Sequence, residues 1–129
     1  MQQFLYVSTA RDLSPRQVDA IVMDAAERNR DRGITGFLVY NGSNFLQVIE
    51  GELTDLEALM ASISRDDRHH GIVTLEKQRI AARAFPDWGM TAIDPAEDGI
   101  AKRFAVGAEM HGGVHPRIRD IILNFAKFN

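Results

Sequence analysis

The chain has 129 residues, 45% of them hydrophobic, enough for one domain to bury a core without staples. It has no cysteine, which excludes disulfides, thiolate metal sites and cysteine nucleophiles and fits a reducing compartment. The net charge is −3, with acids and bases interleaved as in Glu27-Arg28-Asn29-Arg30-Asp31-Arg32, so nucleic acid is not the expected partner. No run approaches the roughly 18 apolar residues of a membrane span, and the N-terminus lacks a signal-peptide pattern, so the expected location is cytoplasmic with no membrane contact.

Phe4 to Ser8 reads as a strand with Phe4, Tyr6 and Ser8 on one face and Leu5 and Val7 on the other. Ser14-Pro15-Arg16-Gln17 carries a capping box and a proline at the first helical position, and predicts a helix start. Val18, Ile21, Val22, Ala25 and Ala26 follow as an apolar stripe, and Asn29 falls on or beside it. Gly33 suits the helix end, and a hairpin follows to Gly51 with its turn at Asn41-Gly42-Ser43-Asn44. In its second strand the period of two sends Phe45, Gln47 and Ile49 to one face, so a carboxamide points where apolar groups point and needs polar partners there.

Thr54 to Glu57 reads as a second capping box, opening a helix with the stripe Leu56, Leu59, Met60 and Ile63 and ending near Arg65. A charged loop from Asp66 to Gly71, a strand from Ile72 to about Arg79, and a strand from Trp88 to Ile93 after Phe85-Pro86-Asp87 complete the pattern. The order β-α-β-β-α-β-β describes an α+β, ferredoxin-like sandwich: a five-stranded mixed sheet with two helices on one face. Leu5, Val7, Leu38, Tyr40, Leu46, Val48 and Ile93 are expected on the opposite face, which is too apolar to stay wet. Segments carrying Ile100 and Phe104, and then Ile118, Ile121, Ile122 and Phe125, are expected to cover it as C-terminal helices. The division is a domain over 1–93 and a helical cap over 94–129.

Tyr6, Ser8, Asn29, Gln47, Trp88 and Met90 come from four separate elements and converge between sheet and helices if the strand faces align. The Tyr-x-Ser of FLYVSTA, the N-x3-GITG of Asn29 to Gly36, the F-x-Q-x-x-EG of Phe45 to Gly51, the Asp-x-Arg-His of Asp66 to His69 and the F-P-x-W-x-M of Phe85 to Met90 stand in one order. Over about residues 3 to 93 the chain resembles the BLUF family of flavin-dependent blue-light sensors.

The resemblance implies FAD as cofactor, bound between the two helices, although the residues themselves surround only the ring that FAD and FMN share. It implies that Asn29 bonds the polar edge of the ring, that Gln47 bridges ring and Tyr6, that Ser8 tunes this network, and that either Trp88 or Met90 occupies the pocket beside Gln47. It also places Arg68 near a ring carbonyl, with His69 beside it. Arg28 departs from the Asn or His usual before the flavin Asn; with Arg30 and Arg32 it reads as a solvated helix end or a contact for the FAD phosphates. The histidines have no metal spacing, so no metal is expected. The implied function is a photoreceptor and not an enzyme, signalling through the Trp88/Met90 strand and the tail to a partner protein or a homo-oligomer. Two rivals stand beside it. One is a ferredoxin-like interaction module in which the inward polar set is only structural; the other is an acylphosphatase-like hydrolase, for which Thr9-Ala10-Arg11-Asp12 lacks the glycines of a phosphate cradle.

Overall fold

A computed structural model describes residues 1–9, 13–40, 44–67, 70–84, 89–93 and 121. The elements are β1 (Gln2–Thr9), α1 (Pro15–Asp31), β2 (Thr35–Tyr40), β3 (Asn44–Gly51), α2 (Leu53–Ser64), β4 (His70–Arg79) and β5 (Gly89–Ile93). The sheet order is β4-β1-β3-β2-β5: the first four strands pair antiparallel, and β5 adds to β2 in parallel.

The start of α1 follows the reading of the sequence. Ser14 Oγ accepts from the Gln17 backbone N–H at 3.2 Å, and Gln17 Oε1 accepts from the Ser14 N–H at 2.8 Å. The helix stops at Arg32, and Gly33 follows with φ 66°, a left-handed conformation that costs glycine little. The second helix starts earlier than its sequence signal. Because β3 runs through Gly51, Glu52 is the N-cap, without a side-chain cap bond, and Thr54 already lies in the first turn. Asp55 in that turn complements the positive helix end instead.

Both helices pack on one face of the sheet. There Phe4, Tyr6, Leu38, Phe45 and Ile49 from the strands meet Ile21 and Ala25 of α1 and Leu56, Leu59 and Ile63 of α2. This corrects the expectation that Leu38 and Tyr40 lie on the far side. Leu38 pairs with Gln47 and Tyr40 with Phe45, and directly opposed residues share a face, so the hairpin register puts both toward the helices. Phe37 and Val39 take the far face with Leu5, Leu46 and Val48, and all five are fully buried. The turn at 41–43 and the expected tail helices lie outside the described residues, apart from position 121. No helix among the described residues is long and apolar enough to cross a membrane.

Candidate functional site

The register of three adjacent strands builds the floor of the site. Tyr6 of β1 stands opposite Gln47 of β3, and Gln47 stands opposite Leu38 of β2, so the three form one row across the sheet beneath the helices. The Tyr6 hydroxyl donates to Gln47 Oε1, with both side chains buried. Burial raises the Tyr6 pKa well above the ordinary phenol value, because a phenolate there would lose its hydration; the nearby positive charge of Arg28 opposes that rise. The phenol is therefore held neutral and available as a donor.

Above the floor a narrow cleft, with a cavity of only about 10 Å³, opens between the helices. Ile21 and Ala25 of α1 and Ile63 of α2 give it apolar walls, and Arg28 and Asp66 add charge. An apolar slot with a few convergent polar groups is the usual form of a small-molecule site.

Asn29, in the last turn of α1, supplies the sharpest mark of a missing partner. Its backbone carbonyl is satisfied, accepting from Arg32 N at 3.1 Å and Ile34 N at 2.9 Å. Its side chain is fully buried, yet neither Oδ1 nor Nδ2 has a hydrogen-bond partner among the described residues. Leaving such groups unpaired costs about 1–3 kcal/mol each. A ligand edge presenting both an acceptor and a donor would satisfy both ends of the carboxamide.

The other expected site residues divide. Ser8 is buried two residues from Tyr6 on the same face and is not part of the cleft lining. Of the two readings of the arginines, helix end in solvent or cofactor contact, Arg30 and Arg32 are exposed, whereas Arg28 lines the cleft with its Nε buried and without a hydrogen-bond partner among the described residues. The backbone of Met90 lies in β5, at the register shift between the Gly36 and Phe37 pairings. The Met90 side chain, Trp88, Arg68, His69 and most of the Thr9 to Asp12 stretch lie outside the described residues.

Reading the sequence missed a second polar cluster, on the other face of the sheet. Glu50 is fully buried and accepts from Gln3 and Thr35, and Arg83 reaches the same place. The signal was present: a charge in a buried strand demands partners as much as Gln47 does.

The fold is a small α+β domain, and its candidate site is the two-helix slot over the Tyr6-Gln47 pair. The family model for BLUF, "Sensors of blue-light using FAD", matches residues 1–91, and the chain belongs to that family. It is 30% identical over 98% of its length to the photoactivated adenylate cyclase subunit beta of Euglena gracilis, and 35% identical over 70% of its length to the blue light- and temperature-regulated antirepressor BluF of Escherichia coli (strain K12). It spans only 14% and 23% of those two proteins. Among solved structures, Klebsiella pneumoniae BlrP1 matches 98% of the chain with TM-score 0.82 and 30% identity, over 33% of its own length. The dark-state BLUF protein BlrB matches 84% of the chain with TM-score 0.69 and 35% identity, over 81% of its own length. The chain is thus a flavin blue-light sensor domain with FAD as its cofactor. The orphaned Asn29 carboxamide and the apolar slot over Tyr6 and Gln47 fit such a ring with its mixed donor and acceptor edge.

Proposed function

We propose that Tyr6 is the photochemical partner of the flavin, that Gln47 carries the resulting change, and that β5 and residues 94–129 pass it to a partner protein or a second copy of the chain. The carrying observation is the buried Tyr6 to Gln47 hydrogen bond on the floor of the cleft. Asn29 and Gln47 would hold the ring, with Arg28, Arg68 and His69 supplying polar contacts around it. Bound FAD supplies absorption in the blue and, once excited, a strong one-electron oxidant. Tyr6 gives up an electron and a proton, and its O–H already points at one defined acceptor, Gln47 Oε1. When both return, the phenol is restored. Gln47 need not be, because its two ends differ: rotation or tautomerisation leaves it donating where it formerly accepted. Ser8 tunes the network from the end of β1, and Trp88 or Met90 adjusts to the new arrangement. The output is a conformer, so the chain acts as a sensor and not as a catalyst.

The named functions of the relatives, cyclase and antirepressor, suggest the kinds of effector that such a conformer biases. The light-minus-dark absorption spectrum of the FAD-loaded protein tests the reading. A small, reversible red shift under blue light is expected. A protein that stays colourless after reconstitution, or that shows no difference spectrum, would leave only a ligand-free interaction module.

A further inference from the structure

β3 carries two polar residues into buried surroundings, Gln47 toward the helices and Glu50 on the opposite face. A carboxylate removed from water needs donors on its oxygens. Glu50 has them: Gln3 Nε2 and the backbone N–H of Ala84 donate to Oε2, and Thr35 Oγ1 donates to Oε1, each at 3.1 Å. Arg83 holds the same residue by its main chain. Its Nη1 donates to Glu50 O at 2.8 Å and to Thr35 Oγ1 at 2.9 Å, and its Nη2 donates to Gly33 O at 2.5 Å. Consecutive residues of the β4–β5 connection are therefore bound by the backbone and the side chain of one strand residue.

The acceptors are placed where the site is built. Gly33 follows the C-cap of the helix whose last turn holds Asn29, so the guanidinium sits at the carbonyl end of α1, where a cation is favoured. Thr35 opens β2, and Glu50 shares its strand with Gln47. From Ala84 the chain runs on to β5, which pairs with β2 from Gly36↔Gly89 to Val39↔Ile93.

We propose that Arg83 and Glu50 form a clamp that ties the strand of Gln47 and the helix end of Asn29 to β5, so that a rearrangement at Gln47 moves β5 instead of being absorbed in the connection before it. The proposal rests on the photoreceptor reading. Arg83 is a positioning residue. It touches neither the cleft nor the reacting groups, and acts by fixing the segment that leads into β5. A merely structural bridge would steady the protein equally in darkness and light. A coupling clamp changes the difference between the two.

The test uses FAD-loaded wild type, Arg83→Gln, Arg83→Lys and Glu50→Gln, with the absorption difference spectrum and amide hydrogen exchange over residues 89–93 measured in darkness and under blue light. In the wild type, light should change β5 exchange by about threefold or more. Arg83→Gln should keep the red shift while its light-to-dark exchange ratio falls to about one; Arg83→Lys, a point charge without the planar fork, should restore part of it. A wild-type ratio in Arg83→Gln, or a wild type whose red shift leaves β5 exchange unchanged, overturns the clamp. If the wild type shows no red shift at all, the photoreceptor reading falls by itself. The clamp is then judged in darkness, where Arg83→Gln should speed β5 exchange about tenfold relative to α2, and equal exchange overturns it. Glu50→Gln removes one acceptor and keeps the shape, and is held to the same outcomes should Arg83→Gln fail to fold.

Discussion

Tyr6, Gln47 and Asn29 were legible because each sits at a position where the local period calls for an apolar group. Tyr6 and Gln47 lie inward on strands, Asn29 lies on a helix stripe, and the structure finds all three buried. Two substitutions test the proposed division of labour. Gln47→Leu should keep FAD and lose the red shift, since leucine has no ends to exchange, and Tyr6→Phe should block the normal photoproduct by removing the phenolic proton; both are read from the difference spectrum. The pH dependence of stability follows from the raised Tyr6 pKa. Because the folded chain holds this proton more tightly than the unfolded chain, the contribution is full below the ordinary phenol value of 10.0 and is lost as pH rises above it. The stability difference between wild type and Tyr6→Phe, from urea titrations, should thus shrink above pH 10.0, by up to about 1.4 kcal/mol per pH unit.

Among the elements, parity separates the two faces of any one strand but does not say which face meets which neighbour. For β1 and β3 an inward polar residue settled the matter. β2 has no such marker, so its sequence alone does not say that Leu38 and Tyr40 face the helices; the hairpin register does. The clamp was beyond reach for a different reason: Glu50 and Arg83 are far apart in sequence, and no local pattern pairs them. The helix start at Ser14, by contrast, needs only four consecutive residues to state itself. One close approach makes the hairpin easy to break. At Gly36, with φ +149°, an added Cβ would stand 1.9 Å from Val48 O, in a conformation that L residues rarely adopt. Gly36→Ala should cost about 2–5 kcal/mol, measured as a lower urea midpoint, because the strands must part and β5 loses the pairing that begins there.

For the molecule as a whole, the far sheet face matters most, since Leu5, Phe37, Val39, Leu46 and Val48 are buried although neither described helix lies over them. We propose that residues 94–129 cover it. Truncation after Ile93 should then turn the monomer or defined oligomer into an aggregating species by sedimentation; unchanged association would remove the tail from this role. The Asn29 carboxamide, without a side-chain partner among the described residues, bears on the stability of the empty chain. With two buried polar atoms unmet among the described residues, the empty chain should be less stable than the FAD-loaded one, because a ligand that binds only the folded state stabilises it. Asn29→Leu should weaken that dependence. The empty form should gain about 1–3 kcal/mol, while the rise in Tm on adding FAD shrinks; both are read from thermal unfolding with and without FAD.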